Sequence, residues 1–301
     1  MMKVLKWIGI VLGILIGIVV IVGLSLHLYG RSRVANAPEI AGKPVPIPTD
    51  AEAVARGEHL VRHVSLCGDC HGENLEGTDF INNEAPIGYI SAPNLTSGEG
   101  GVGASYTDAQ WELALRHGVG QDGRALAIMP SGNLNHLSDE DLGAIVAYIK
   151  QVPPVDNVLG ERNLIFPGTI IFGVLAYNDV FPVASADHDN PGANVPPEGA
   201  TAEYGEYLGY IAACRDCHGP DLAGSVDPNA PNGPNLTPGG ELQGWSEEDF
   251  ITAIRTGVKP TDEQLSDEMP WRSYSGMTDV ELQAIWAYLT SLPAEPTATA
   301  E

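Results

Sequence analysis

The stretch LCGDCHGENLEG at residues 66–77 has a near copy, ACRDCHGPDLAG, at residues 213–224. The two copies contain all four cysteines of the 301-residue chain, and each Cys-x-x-Cys pair is followed at once by a histidine. From the chain's own composition, this five-residue pattern is expected by chance about 0.001 times per chain. The repeat therefore marks two equivalent sites, and the chemistry that needs two thiols and an imidazole decides the fold.

Three kinds of site use this spacing: a thiol–disulfide redox pair, half of a zinc site, and the attachment point of a c-type haem. A redox pair is expected near a βαβ pattern, which this sequence does not show, and it has no use for the adjacent histidine. A closed zinc site needs four ligands, yet about 140 residues separate the two pairs where zinc ribbons use about 15 to 20. The haem interpretation is therefore favoured at both copies.

The spacing within each motif suits a porphyrin. Residues i and i+3 are neighbours on one helical turn, so both sulfurs can reach one edge of the ring. We predict two covalently attached haem c groups, with iron ligated on one side by the histidine of each motif. The predicted attachment and proximal residues are Cys67, Cys70 and His71 in the first copy and Cys214, Cys217 and His218 in the second.

The opposite iron ligand is predicted to be methionine. Beyond residue 188 the only histidine is His218, which leaves Met269 or Met277, with Lys259 as a remote third choice. Met129-Pro130 and Met269-Pro270 each lie nine residues before the start of a predicted helix, whereas Met277 is matched by Leu137. We therefore predict Met129 and Met269 as iron ligands and Met277 as a core residue.

Four other histidines in the first half are conceivable ligands. None is matched by a histidine in the second half, so we predict that these four do not bind iron: His59, His63, His117 and His136. Arg116 and Arg255 are equivalent helix residues, for which haem propionates and ordinary surface contacts remain equally open roles.

The repeat extends well beyond the cysteines and predicts two all-α units with long loops. Each unit has a first helix that runs into the motif (49–67 and 201–214), with Thr49 and Thr201 as candidate N-caps. After the motif comes a Pro-Asn-Leu-Thr loop. It is followed by a second helix (106–118 and 245–257) and by a last helix that ends at proline (138–154 and 278–293). Because Asn-x-Thr recurs at the same place, we interpret it as loop structure rather than a glycosylation acceptor.

Residues 7–26 contain no charged side chain and are long enough as a helix to cross a hydrocarbon core of about 30 Å. A cleaved signal peptide is the alternative, but its apolar region would run only about 7 to 15 residues. The one small-residue site, Ala35-Asn36-Ala37, is followed by Pro38, which disfavours cleavage. We predict a retained membrane anchor over residues 1–34. Lysines on one side of it and arginines on the other leave its orientation undecided.

Charge excludes one class of partner. Beyond residue 34 the chain has 39 acidic residues against 11 Lys and Arg, a net charge of −28. Nucleic acid would be repelled, and either a soluble acidic surface or a docking face for a basic partner remains.

The expected organisation is an N-terminal transmembrane helix (1–34) followed by two cytochrome c-like α-helical domains, residues 45–156 and 200–294. A partly helical connector (157–199) joins them. Its apolar part is interrupted by Pro167, Asp179 and Pro182, so we predict a helix packed on the domains rather than a second membrane span. Residues 295–301 are predicted to be disordered.

The chain resembles the class I c-type cytochromes, and specifically the membrane-anchored dihaem cytochromes that carry two such domains in tandem. The resemblance covers about residues 49–293, through both cysteine motifs, both Pro-Asn-Leu-Thr loops, both Met-Pro pairs and both terminal helices. It implies that the first and last helices of each domain cross near the haem edge. It also implies that the carbonyl groups of Pro93 and Pro234 accept hydrogen bonds from the proximal histidines.

Two haems closed by histidine and methionine leave no open coordination position, which favours single-electron transfer over catalysis. We predict a carrier, not an enzyme, in the cytoplasmic membrane with its haem domains on the periplasmic or extracellular side. It would connect a membrane donor or dehydrogenase with a terminal acceptor or soluble carrier. The alternatives are a dihaem peroxidase or thiosulfate-oxidising enzyme with one open haem, and a non-catalytic subunit of a larger complex.

Overall fold

A computed structural model describes residues 2–82, 86–192, 196–226 and 231–298. Helix α1 (Met2–Ala35) is the one helix among these residues that is long and apolar enough to cross a membrane. None of its most apolar stretch is buried against the rest of the chain, which distinguishes it from a core helix. The remaining described residues form two similar helical domains and the connector between them.

The described residues of the first domain form five α-helices, the first of which continues into a π-helical turn. The capping predicted for α4 is present, since Thr107 accepts from the backbone N–H of Gln110 and its own N–H donates to the Gln110 side chain. At the first helix the N-cap is Asp50 and not the predicted Thr49, because the Asp50 carboxylate accepts from the Ala53 N–H. The helices are α2 (Ala51–His59), continued by a π-helical turn (Leu60–Val64), α3 (Cys67–His71), α4 (Asp108–His117), α5 (Ser131–Leu134) and α6 (Asp139–Ile149).

The second domain repeats this order. Thr201 caps its first helix as predicted, and Thr278 with Glu281 forms the predicted capping box of its last helix. Its helices are α9 (Ala202–Ile211), α10 (Cys214–His218), α11 (Glu247–Thr256), α12 (Trp271–Tyr274) and α13 (Asp279–Ser291).

In each domain the first helix crosses the last, α2 on α6 and α9 on α13, as the resemblance implies. The crossings are close because a glycine faces the partner backbone. A Cβ atom on Gly57 would lie 1.9 Å from the Ala144 carbonyl oxygen, and one on Gly205 would lie 1.9 Å from that of Ala284. No side chain can occupy that space without moving the helices apart.

The fold is mainly helical, as predicted, with a small sheet that the sequence did not predict. Strand β1 (Thr78–Ile81) pairs antiparallel with β2 (Gly88–Ala92), which pairs antiparallel with β3 (Asn163–Leu164). The strands are short, and β3 comes from the connector, so the sheet ties the connector to the first domain. The β2–β3 pairing joins segments that are distant in sequence, so no local alternation predicts it.

The connector is a chain of short helical turns rather than one helix. They are α7 (Gly168–Ile170), a π-helical turn (Ile171–Leu175), α8 (Tyr177–Val180) and a 3₁₀ turn (Pro182–Ala184). The first two pack against α1, while Phe181 and Val183 are buried at the first domain. The predicted packing on the domains thus accounts for only part of the connector.

Part of the predicted disordered tail is held by the second domain. The Glu295 carbonyl accepts from the Asn235 side chain at 2.8 Å, and the Ala298 N–H donates to the Ala223 carbonyl at 3.1 Å. The structure therefore differs from the sequence-based expectation over residues 295–298, because backbone groups of the tail find partners on the domain. Residues 299–301 lie outside the described part of the chain.

Candidate haem-binding sites

Both cysteine motifs begin at a strained backbone position. Leu66 and Ala213 precede the first cysteines with φ values of 50° and 54°, in the left-handed region. That conformation costs a non-glycine residue about 1 to 2 kcal/mol, so the surrounding packing must hold it in place. The turn starts a new five-residue helix, α3 or α10, which carries both thiols and the histidine on one short element.

The proximal histidines are oriented by the contact that the resemblance implies. The Nδ1–H of His71 donates to the Pro93 carbonyl at 2.8 Å, and that of His218 donates to the Pro234 carbonyl, also at 2.8 Å. Burial lowers the pKa of both imidazoles, although the hydrogen bonds oppose it. A neutral ring whose Nδ1 is used as a donor leaves Nε2 as the free lone pair, which is the form that ligates iron.

A cavity of about 610 Å³ lies beside α3 in the first domain, a size typical of cofactor sites. Cys67, Cys70 and His71 line it from one side and Met129 lines it too, whereas His59, His63, His117 and His136 do not. The wall also contains Trp111, whose buried indole Nε1 has no hydrogen-bond partner among the described residues. An apolar cavity with two thiols, an imidazole, a thioether and a spare donor fits a haem with polar propionates.

The second domain presents the same groups on the same elements. Met269-Pro270 leads into α12 as Met129-Pro130 leads into α5, and Trp271 N–H donates to the Met269 carbonyl as Ser131 N–H does to that of Met129. Met277 is buried in the core, as predicted. The structure thus places Met269 in the position equivalent to Met129. Its role as a ligand stays a prediction.

All four cysteines are free of disulfide bonds. Burial raises the pKa of the Cys67 thiol to about 12 and that of the Cys214 thiol to about 11. The pKa of Cys70 and of Cys217 is also raised, again mainly by burial. Both motifs therefore present reduced, protonated thiols, the form to which a c-type haem is attached.

Two further predictions from the repeat can be compared with the contacts. The loop asparagines Asn94 and Asn235 are buried, and each accepts from the backbone N–H of the threonine two residues on. Each amide also donates to the chain that leaves the last helix, so the asparagines are structural, as predicted. The equivalent arginines Arg116 and Arg255 bind Asp139 and Asp279 at the start of those helices. Arg116 is buried, so the alternative of an ordinary surface contact is wrong for it, whereas Arg255 is partly exposed.

Each of the two cysteine motifs contacts the other domain at the domain interface. The Asn133 side chain, just after the Met-Pro pair of domain 1, donates to the Asp216 carboxylate inside the second motif at 2.9 and 3.0 Å. Reciprocally, the Ser273 hydroxyl donates to Asp69 inside the first motif at 3.5 Å. The two contacts join equivalent residues in exchanged roles, so the interface has an approximate two-fold symmetry.

A second reciprocal pair lies deeper in the interface. The Tyr207 hydroxyl of α9 donates to Asp141 of α6 at 2.7 Å, and His59 of α2 lies 2.7 Å from Glu281 of α13. Arg56 bridges the two, with its guanidinium 3.0 Å from Asp141 and 2.8 Å from Glu281. Sequence reasoning missed this cluster, although Asp141 and Glu281 hold the same position in equivalent helices.

The comparisons with known proteins agree with this geometry. Residues 54–153 match the family model described as cytochrome c, and residues 200–289 match that of cytochrome c oxidase, cbb3-type, subunit III. Both matches lie within the predicted domains, whose limits remain predictions.

Three relatives illustrate the similarity. The fructose dehydrogenase cytochrome subunit of Gluconobacter japonicus is 29% identical over 84% of this chain and 55% of its own length. The cytochrome c subunit of alcohol dehydrogenase (quinone) of Gluconacetobacter polyoxogenes is 27% identical over 85% of this chain and 60% of its own. A diheme cytochrome c-type protein of Cereibacter sphaeroides is 27% identical over 83% and 91%. The chain thus spans little more than half the length of the first two.

All three relatives are named as cytochromes or cytochrome subunits, which confirms electron transfer as the class of function and gives no support to the peroxidase alternative. The two cytochrome c domains and the diheme relative also confirm haem c as the cofactor. The chain thus carries two cytochrome c domains in tandem, which fits a dihaem c-type cytochrome.

Proposed function

We propose that this chain is the membrane-anchored electron-transfer subunit of a dehydrogenase, and that electrons pass through both of its haem sites. The reciprocal contacts that each cysteine motif makes with the other domain carry the proposal. Each motif touches the segment after the Met-Pro pair of the other domain, so the two sites are neighbours without a long protein path between them. The dehydrogenase partner is supported by the names of the relatives.

The haem groups, when bound, supply a reversible one-electron couple. Cys67 and Cys70 would hold one and Cys214 and Cys217 the other, while His71 with Met129 and His218 with Met269 would close both faces of each iron. The carbonyls of Pro93 and Pro234 keep the imidazoles in one orientation through electron gain and loss. Closed sites exclude substrate, so the chain relays electrons and leaves the oxidation of substrate to its partner.

The anchor is supported by its packing as well as by its composition. His27 lies 2.6 Å from the Thr169 hydroxyl, and Arg162 donates to the Val34 carbonyl at 2.8 Å. A segment removed as a signal peptide would have no need of such contacts with the mature domain. We place the haem domains on the periplasmic or extracellular side because c-type haem is attached to thiols there.

The relay is tested with the full chain produced in a host that matures c-type cytochromes. We expect a mass increase of two haems, low-spin spectra in both redox states, and reduction of both haems when an associated dehydrogenase receives its substrate. A high-spin haem that reacts with peroxide would replace the proposal with the enzyme alternative. Protease digestion of intact spheroplasts tests the side of the membrane, since domains outside the membrane are cleaved without lysis.

A further inference from the structure

The connector exposes an apolar surface next to the membrane anchor. Ile165, Phe166, Ile171 and Leu175 all project from it, and Phe166 is 62% exposed and Leu175 75% exposed. No residue between Arg162 and Asp179 is charged, in a region of the chain that otherwise carries a large negative charge. Large side chains of this kind at a continuous uncharged segment mark an interaction surface rather than ordinary solvent exposure.

The position of this apolar surface along α1 indicates which kind of partner covers it. The stretch predicted to span the hydrocarbon core ends at Leu26 and is followed at once by His27, and the connector packs on the next turns of the same helix. The His27 and Phe166 rings lie 6.2 Å apart, edge to face. Phe166 is therefore level with the residue that directly follows the hydrocarbon-spanning stretch.

The packing between anchor and connector is close enough to fix their relative position. A Cβ atom on Gly30 would lie 2.1 Å from the Thr169 carbonyl oxygen, and one on Gly173 would lie 2.5 Å from the Gly30 carbonyl oxygen. Backbones that approach this closely use the small-residue contact common between membrane helices. The connector cannot rise from the bilayer surface without separating from α1.

Basic and aromatic side chains lie at the same level along α1 as this apolar surface. Arg33 stacks on the Tyr177 ring at 3.5 Å, and Arg31 is exposed near the end of α1. Arginine and tyrosine concentrate at the boundary between lipid tails and headgroups, where the charges meet lipid phosphates. In a chain with a net charge of −28 beyond residue 34, this arrangement favours a lipid surface as the occupant.

From these observations we infer that residues 164–176 form a second membrane contact, an interfacial segment that lies in the headgroup region beside α1 without crossing the bilayer. Two contacts in place of one stop the haem domains from swinging about a single tether. They hold the first domain at a set height and orientation above the lipid. The inference rests on α1 being a membrane anchor, as proposed above.

The test uses the full haem-loaded chain in nanodiscs of phosphatidylcholine and phosphatidylglycerol. Because the native thiols carry haem, single cysteines can be introduced and labelled with a nitroxide: F166C and L175C in the connector, I16C in the anchor and V280C as an exposed control on α13. Val280 is 39% exposed in a helix that packs on α9 and α11, away from α1. The relaxation of each label by oxygen, which partitions into lipid, is compared with that by a water-soluble nickel chelate.

We expect the oxygen-to-nickel ratio at residues 166 and 175 to be several-fold higher than at residue 280 and lower than at residue 16. If residue 16 shows the lipid ratio while residues 166 and 175 match residue 280, the connector inference is wrong and the anchor stands. If residue 16 also matches residue 280, the anchor itself is wrong. Unchanged haem spectra confirm that each labelled chain is folded.

Discussion

The first helix of domain 1 reaches its cysteine motif ten residues after Gly57, whereas that of domain 2 does so nine residues after Gly205. The glycines are equivalent, because both lie against the last helix of their own domain. The extra residue in domain 1 is taken up by the π-helical turn at Leu60–Val64, and α9 has no such turn. A π-helical turn is the usual way to insert one residue into a helix while both ends keep their contacts.

The insertion also changes what the helix touches. The π-helical turn lies against α12 of domain 2, and His63 lies 3.1 Å from the Ser273 carbonyl. The reciprocal contact is made by the regular helix α9 with α5. The comparison teaches that one fold can vary by a residue in its first helix when the variation lies at a surface that meets another domain.

The largest expected effect concerns the methionines, which should be equivalent if the two domains are. M129A and M269A should each convert one haem of the two to high spin, so that half of the methionine–iron charge-transfer band is lost. M277L is the control, because Met277 is buried and Leu137 occupies the same place in domain 1. Absorption spectra of the oxidised protein measure the outcome. Loss of the band in M277L would exchange the predicted roles of the two methionines.

The second effect is the dependence of the free energy of unfolding on pH that Glu281 causes at the domain interface. Burial raises the pKa of Glu281, but hydrogen bonds from His59, the Thr278 N–H and Arg56 outweigh it and lower the pKa to about 2. A carboxyl with a lowered pKa stabilises the fold above its ordinary pKa, and that contribution is lost as the pH falls from about 4.5 towards 2. E281Q should cost about 3 kcal/mol at pH 7, because it leaves charges at the interface without their partner.

Denaturant unfolding at pH 7 and pH 3 measures this difference. The E281Q variant should lose less stability between the two pH values than the native chain does. E140Q is the control, since Glu140 lies exposed in the first turn of α6. If E281Q and the native chain lose the same free energy of unfolding between pH 7 and pH 3, Glu281 does not set the pH dependence.

The third effect tests the helix crossings. G57A and G205A should each reduce the free energy of unfolding by about 1 to 3 kcal/mol, because the added methyl group meets a carbonyl oxygen of the last helix. G209A, in the same helix as Gly205, should be neutral or slightly stabilising, since the nearest atom to its Cβ is 3.7 Å away. Thermal unfolding followed by circular dichroism measures all three. A neutral G205A would mean that the crossing is looser than described.

The smallest effect concerns the hydrogen bonds that Asn133 and Ser273 make to the cysteine motif of the other domain. N133A should cost about 1 kcal/mol and S273A less, because the bonds to Asp216 are shorter than the bond to Asp69. Both variants should keep two low-spin haems but slow the exchange of electrons between them, as seen by flash photolysis of the half-reduced protein. Unchanged exchange in both variants would indicate that these contacts do not set the distance between the haems.

The site could be predicted further from the sequence than the fold around it. The cysteine spacing, the histidine that follows, and the repeat of Met-Pro before the last helix are local features, so comparing the chain with itself was enough to predict the proximal histidines and the methionines. Gly57 and Gly205 also repeat and could have been found in the same way. Nothing local indicates that the Asp216 carboxylate would meet Asn133, because that pairing exists only once the domains dock.

The sequence by itself determined the two haem motifs, the order of helices in each unit and the apolar length of α1, because short spacings and helical periodicity are encoded by neighbouring residues. The tertiary structure alone decided that each motif contacts the other domain, that Arg56 joins Asp141 to Glu281, and that the connector lies beside the anchor. These features unite residues from distant parts of the chain, and their burial and charge pairing are set by packing that no local pattern records.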